Sequence, residues 1–478
     1  MEQFLADLLK VVQTINSYTA DYVLIFLLIG TGIFFTIKTR FVQIRCFGEG
    51  MRNVFGKFTM KGGDHGGSMS SFQALASAVA AQVGTGNIVG ACGAILTGGP
   101  GAIFWMWIIA FFGMATNYAE AVLAQKTREK DAEGNVAGGP VYYIKKAFAG
   151  GFGKFLAGFF AVATVLALGF MGCMVQSNSI SEAMQTALGV PGWVVGVVVA
   201  VIAGIVFIGG VKRLAAVNEK LVPIMALLYL VGGLIILVCR IQYIPETFGM
   251  IFKFAFMPQA IIGGGVGTAL KIAISQGAKR GLFSNEAGMG STPHAHALAN
   301  VEKAHDQGVV AMIGVFIDTF VVLTMTALVV ISTLYAGNGP LLEGAAEGIT
   351  KANMVQLAFS NVFGTFMGAD LGAKIGAIFV AVCLLFFAFS TILSWNLFGK
   401  INFQYLFGKK TVIVYSCIAL VFIFLGSLLS NDLVWELTDM FNYLMVIPNA
   451  IALLALNKLV KDEAAEGERL NKLSRKNK

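Results

Sequence analysis

Gly84-Thr85-Gly86-Asn87-Ile88-Val89-Gly90 stands in the middle of a long, largely apolar run over residues 70–96. Glycine at that density weakens a helix, in water and in lipid alike. At membrane depth a broken helix is tolerated only where it is buried in protein or lines a cavity, and the backbone groups it frees can bind small charged ligands. Composition decides that this run is membrane-embedded. Of 478 residues, 57% are hydrophobic and 13% charged, whereas a soluble domain carries about 25% charged residues. Several stretches exceed the roughly 18 apolar residues that cross a bilayer. The chain therefore reads as an all-α polytopic membrane protein surrounded by lipid.

The net charge of +8 could suggest nucleic acid, but the basic residues sit in loops. Lys38, Arg40, Arg45, Arg52, Lys57 and Lys61 crowd the first. Lys126, Arg128 and Lys130 follow the third span, Lys212, Arg213 and Lys220 the fifth, and Lys400, Lys409 and Lys410 the ninth. This is the positive-inside pattern, so the charge sets topology and implies no nucleic-acid partner. The six cysteines are scattered and mostly intramembrane, with no Cys-x-x-Cys or His/Cys spacing to support a disulfide framework or a zinc site. The first apolar run, residues 22–37, lacks a basic leader and a small-residue cleavage site, and reads as a retained span.

Alternating spans give about eleven helices, near residues 18–38, 70–97, 101–125, 153–186, 192–211, 218–239, 261–299 (interrupted), 308–335, 372–399, 411–430 and 432–459. The N-terminus is expected outside and the C-terminus in the cytoplasm, in the cell (plasma or inner) membrane. Residues 337–368 are expected to form an amphipathic outer loop over the entrance, and the charged tail after Lys461 to fray. The chain is one domain, residues 1–478, with an extra N-terminal helix at 18–38, repeats at 70–239 and 261–459, and a tail at 460–478. The repeat rests on a weak echo of the first glycine run in Gly281-Leu282-Phe283-Ser284-Asn285-Glu286-Ala287-Gly288. Each opens a five-helix set, and an odd number of spans inverts the second set relative to the first. Paired broken helices in inverted halves mark a midplane binding site.

Other readings compete for these residues. The first glycine run fits a dinucleotide-binding pattern, but its apolar surroundings deny the strand-turn-helix context that pattern needs. Gly263-Gly264-Gly265-Val266-Gly267-Thr268 lacks the ending of a phosphate loop. Gly86 and Gly90 form a GxxxG pair suited to helix packing, which accounts for Gly90 and Gly93 and poorly for Thr85 and Asn87. Ser390 and Thr391 either bond the carbonyl one turn back or supply hard oxygen ligands to sodium. Gln176, Ser177 and Asn178 either line a pocket or bond between helices. Trp105 and Trp107 face lipid or pack. Lys271, Lys279, Arg280, Glu286, Asp318, Glu436 and Asp439 are functional candidates by depth alone, with Arg280 and Glu286 a candidate pair across the break. Glu120, His294 and His296 form no convergent catalytic set, and histidines two apart share no helix face.

Gly98-Gly99-Pro100-Gly101-Ala102-Ile103-Phe104-Trp105-Met106-Trp107, with Gly138-Gly139-Pro140-Val141-Tyr142-Tyr143 and residues 83–90 and 280–288, resembles the alanine/glycine:cation symporter (sodium:alanine symporter) family, of the amino acid–polyamine–organocation superfamily. The resemblance extends to about Lys458. It implies a LeuT-like five-plus-five inverted repeat with one additional N-terminal helix. It also implies sodium-driven import of small neutral amino acids (alanine, glycine, or D-alanine or serine), by alternating access and without a cofactor or covalent chemistry. Sodium is then co-transported cargo, and a monomer suffices. By the same resemblance Gly84, Thr85, Gly86 and Asn87 receive the substrate carboxylate. Gly281, Leu282, Phe283 and Ser284 face its amino group and side chain, and Gln176, Thr391 and Trp395 complete the pocket. The sodium ligands are the Ala80 and Val83 carbonyls with the Ser390 and Thr391 hydroxyls. Rival readings are a proton-coupled carrier using Glu286 or Asp318, an intramembrane enzyme and a sodium-permeable channel.

Overall fold

The computed structural model describes residues 2–56, 69–130, 136–257, 266–342 and 347–476. Lys57, Lys61 and the glycine run 263–265 lie outside them. An exposed amphipathic helix, α1 (Glu2–Tyr18), leads into α2 (Ile25–Lys38), and the short α3 (Phe47–Phe55) follows. The glycine run falls between α4 (Ser71–Gln82) and α5 (Gly86–Gly98), which meet at 45°. Then come α6 (Ala102–Thr127), a hairpin of β1 (Glu129–Lys130) and β2 (Val136–Ala137), α7 (Pro140–Ala147), α8 (Gly150–Leu188), α9 (Gly192–Ile208), α10 (Gly210–Cys239) and α11 (Ile244–Phe256). The second half holds α12 (Val266–Asn285), α13 (Pro293–Ala297), α14 (Ala304–Leu334), α15 (Met354–Met367), α16 (Ala369–Phe407), α17 (Lys409–Gly426), α18 (Asn431–Ala455) and α19 (Asn457–Lys476).

Seven helices (α6, α8, α10, α14, α16, α17 and α18) are long and apolar enough to cross a membrane, and α4 with α5 makes an eighth if the bent pair is one span. Eleven were expected. Among the described residues α2 and α9 are apolar but only 14 and 17 residues long, and the expected span 261–299 begins outside the described part. Helix α1 precedes the first expected span and binds the bundle through Asn16. Its Nδ2 donates to the Glu436 carbonyl (2.8 Å) and carboxylate (2.6 Å) on α18.

Three further expectations need correction. The tail after Lys461 is a helix and does not fray: Val460, Ala464 and Gly467 make an inward stripe at i, i+4 and i+7. Glu463 pairs with Lys126 and Glu468 with Arg45, each at 2.7 Å. Arg280 does not reach Glu286. It pairs with Asp439 on α18 at 2.7 Å and lies 4.8 Å over the Trp435 ring. The second interruption comes later than the 281–288 motif suggested. Helix α12 runs unbroken through Gly281 to Asn285, and the chain unwinds over residues 286–292, where Glu286 (φ 57°), Gly288 (φ 90°) and Gly290 (φ 82°) are left-handed.

The aromatic block in α6 packs against neighbours on one side. Trp105 Nε1 donates to the Ala255 carbonyl of α11 (3.0 Å) and Trp107 Nε1 to Thr324 Oγ1 of α14 (2.9 Å). Gly101 is required at this contact, because a Cβ there would stand 2.2 Å from the Phe254 backbone. Within 337–368, α15 is helical as expected and is tied down by Gln356, whose Nε2 donates to the carbonyls of Ala183 and Ala377 (both 3.1 Å).

Candidate functional site

Helix α4 starts on a reciprocal cap between Ser70 and Gln73, which satisfies two otherwise orphaned N–H groups. It ends where Val83 leaves the helical region (ψ 89°). Gly84 and Thr85 carry the chain across to α5. Their freed N–H groups find side chains from elsewhere: Gly84 N–H donates to Asn87 Oδ1 (3.0 Å) and Thr85 N–H to Gln176 Oε1 on α8 (3.2 Å). Buried backbone groups must be paired, and here neutral amides do it. The Thr85 hydroxyl is buried with no hydrogen-bond partner, a donor and acceptor still open at the break.

The glycines the sequence assigned to packing are not the tight ones. A Cβ on Gly90 or Gly93 would meet neighbours only at ordinary distances, 3.6 and 3.7 Å. A Cβ on Gly84 would lie 2.3 Å from Thr391 Oγ1, and one on Gly86 would lie 2.9 Å from Ser284 Cα. The break itself is therefore where α16 and α12 close in.

From α16, Thr391 Oγ1 donates to the Ala80 carbonyl at 2.8 Å, with its own-turn carbonyl of Phe387 at 3.1 Å. Ser390 Oγ is 2.8 Å from the Phe387 carbonyl and 3.5 Å from that of Ala80. Both hydroxyls thus bond the carbonyl one turn back and also approach the Ala80 carbonyl, and Thr391 leans further toward α4. Val83 N–H still completes a helical bond to Val79 (2.7 Å).

Asp318, on a widened turn of α14 (Phe316–Leu323), gathers the two halves. Its Oδ1 accepts from Asn87 Nδ2 at 2.6 Å, its Oδ2 from Ser284 Oγ at 2.9 Å and from Thr319 Oγ1 at 2.8 Å. All three partners are neutral. A fully buried carboxylate in that company is electrostatically incomplete without a cation or a proton. The sequence offers Asp318 as one intramembrane charge among seven and, with Glu286, as the coupling group of the proton-driven rival. Its partners lie 231 and 34 residues away in the chain, so only its depth could have singled it out.

Of the remaining candidates, Phe283 meets Trp395 edge-on (ring centroids 5.6 Å) and Trp435 at a tilt (4.6 Å), an aromatic wall beside the breaks. Trp395 Nε1 donates to Glu286 at 2.5 Å. Gly281 lies against Met106 and Ile109 of α6, and the Leu282 carbonyl stays in a helical bond with Glu286 N–H (2.9 Å).

The second break has a different anchor. Glu120 on α6 accepts from Gly288 N–H (3.2 Å), Gly290 N–H (3.0 Å) and Asn449 Nδ2 (2.6 Å). Ser291 Oγ donates to Glu286. His294 bonds Ser291 and Asn402 while His296 bonds Gln307, so the two rings share no ligand. A nucleophile–base pair with an orienting third group is not what these residues make; they hold broken helices.

Residues 5–477 match the profile described as the sodium:alanine symporter family. A sodium/alanine symporter, AgcS, of Methanococcus maripaludis is 40% identical over 98% of this chain and 100% of its own length. A putative sodium/proton-dependent alanine carrier protein, YrbD, of Bacillus subtilis is 38% identical over 94% of this chain and 90% of its own. A probable sodium/glutamine symporter, GlnT, of the same organism is 36% identical over 96% and 90%.

Proposed function

The chain belongs to the sodium:alanine symporter family, and from that premise we propose that it imports alanine or glycine with sodium across the cell membrane by alternating access. Amino-acid transport follows from the family; the substrate, the ion and the residues that bind them are our reading. The observation that carries it is the Asp318 carboxylate, bonded at once to Asn87 at the start of α5 and Ser284 near the end of α12. A cation bound there, and a substrate carboxylate at the positive N-terminal end of α5, would brace the same two elements. Each ligand then raises the other's affinity. The four-oxygen set of Ala80, Val83, Ser390 and Thr391 is the second proposed sodium position, since sodium is a hard cation that takes oxygen ligands.

In this reading residues 70–239 and 261–459 are inverted five-helix repeats of a LeuT-like fold, preceded by one extra helix, and a monomer is sufficient. Alanine and glycine are favoured over glutamine by the Phe283–Trp395–Trp435 wall, because overpacking a filled site costs about 1–3 kcal/mol per misfit. Uptake of labelled alanine into proteoliposomes tests it. A sodium gradient should drive accumulation, and glycine should compete far better than leucine or glutamine. Accumulation that ignores sodium and collapses with the pH gradient would transfer the coupling role to a proton on Asp318, the reading its neutral partners equally permit.

A further inference from the structure

A second cluster of ligating side chains lies on the rim of the bundle, between α3 and the first turn of α14, away from the Asp318 turn of that helix. Cys46 caps the start of α3, and Glu49 follows three residues later, so thiol and carboxylate share one helix face. Helix α3 packs on the start of α14, which presents His305. The Cys46 sulfur, a Glu49 oxygen and a His305 ring nitrogen all lie within 4.8 Å of one another. Cys46 and His305 are only 3% and 1% exposed. Three donors converge from two segments some 260 residues apart, which is why spacing along the chain gave no sign of them.

The histidine is oriented as a ligand needs to be. Tyr118 OH lies 2.7 Å from Nδ1, which leaves Nε2 facing Glu49 at 3.2 Å. Metal-bound histidines are held in this way, with one nitrogen on the ion and the other on an outer partner. Helix α19 closes the cluster from above. A Cβ on Gly467 would stand 2.3 Å from the His305 side chain, so the helix rests directly on the ring. Glu468 beside it hydrogen-bonds Cys46 and pairs with Arg45, and Asn471 Nδ2 donates to Glu49 at 2.6 Å.

We propose that Cys46, Glu49 and His305 bind a zinc-class divalent ion that pins the C-terminal helix α19 to the rim of the transporter. Bonds of about 2.0–2.3 Å in a tetrahedral site set ligand atoms roughly 3.3–3.8 Å apart, and the cluster reaches that by a small inward adjustment. Thiolate and imidazole donors select zinc and its neighbours over sodium, magnesium or calcium. A dipositive ion with one thiolate and one carboxylate is neutral as a unit, which suits a site this buried.

The test uses the full-length protein in detergent, stripped of metal and titrated with zinc against a chromophoric chelator. One zinc per chain is expected, and cobalt in its place should give a thiolate-to-metal charge-transfer band. Cys46→Ala and His305→Ala should abolish tight binding, Tyr118→Phe should weaken it about 10–100-fold, and Cys239→Ala should leave it unchanged. Zinc should also protect α19 from proteolysis in the parent protein and not in Cys46→Ala. Absence of stoichiometric zinc in the parent protein overturns the proposal, as does binding that survives both ligand substitutions. If those variants do not fold, the cobalt spectrum of the parent decides: no thiolate band, no site.

Discussion

The two unwound stretches are held by opposite means. At residues 83–85 the freed N–H groups go to the carboxamides of Asn87 and Gln176, single neutral bonds from two different helices. At residues 286–292 the Gly288 and Gly290 N–H groups converge with Asn449 on one carboxylate, Glu120. A neutral bond contributes about 0.5–1.5 kcal/mol net and a bond to a charged group about 1.5–3. The backbone bonds of the first break are therefore cheap to rearrange and those of the second expensive; the charged bond at the first break runs from the Asn87 side chain to Asp318. An element that must bind and release a ligand in each cycle needs the first kind of anchoring. One that serves as the frame needs the second.

Removing Glu120 should break this comparison most severely. Glu120→Ala leaves the Gly288 and Gly290 N–H groups unpaired in a dry interior and takes one of its two bonds from Asn449 Nδ2, which keeps the Gly288 carbonyl; each orphaned group costs about 1–3 kcal/mol. The expected result is loss of folded, monodisperse protein in detergent or a large drop in thermal midpoint, with Glu120→Gln intermediate because one acceptor oxygen survives. Gln176→Ala removes a single acceptor and should cost about 1 kcal/mol. Equal destabilisation by Glu120→Ala and Gln176→Ala would erase the distinction between the breaks.

The next effect is on transport with the fold retained. A methyl on Gly84 would meet the Thr391 hydroxyl at 2.3 Å, so Gly84→Ala must push α16 away from α4. Labelled-alanine uptake should fall by an order of magnitude or more while membrane expression stays near normal. Gly90→Ala, where 3.6 Å is available to the added methyl, is the matched control and should transport. If Gly90→Ala is as damaging as Gly84→Ala, close approach at the break is not the cause.

The contrast also separates what the sequence makes legible from what it hides. The first break is readable because glycine, threonine and asparagine are out of place in an apolar run. The second lies a few residues beyond the motif that predicts it. Glycines recur from Gly281 to Gly290, and nothing local says that Gly281 stays helical while Gly288 and Gly290 turn left-handed. What decides is Glu120, 168 and 170 residues away. The pairing of Arg280 with Glu286 fails for the same reason: the sequence displays the near neighbour and hides Asp439, 159 residues on. The tail looked solvated because it is charged, yet its charges find Arg45 and Lys126 across the rim. Local chemistry shows that a group needs a partner. Only the packed fold shows which one.

Asn87→Ala gives a smaller, selective loss. The carboxamide both closes Gly84 N–H and donates to Asp318 at 2.6 Å. Its removal should weaken alanine and sodium binding about tenfold, the scale of one buried bond to a charged group. Isothermal titration at fixed sodium measures it. Weaker alanine binding with unaltered sodium dependence would separate the carboxylate role from the cation role and place the ion elsewhere.

The smallest and sharpest prediction lies within two adjacent residues. Thr391 Oγ1 reaches the Ala80 carbonyl at 2.8 Å, whereas Ser390 Oγ is 3.5 Å away and bonds its own helix at 2.8 Å. Composition alone made these hydroxyls equivalent; their geometry does not. If both hydroxyls contribute to a sodium position beside α4, Thr391→Ala should raise the sodium concentration for half-maximal uptake several-fold and Ser390→Ala distinctly less. Apparent alanine affinity should fall in the same order at low sodium and recover at high sodium, as reciprocal coupling requires. Thr391→Ser retains the hydroxyl and should restore most of the sodium response. Recovery by serine at 391 identifies an oxygen ligand; failure of serine to rescue assigns the loss to the missing methyl and to packing against Gly84. An equal shift in Ser390→Ala and Thr391→Ala would mean that α16 moves toward α4 when the ion binds, and that the neutral break is remade in each cycle.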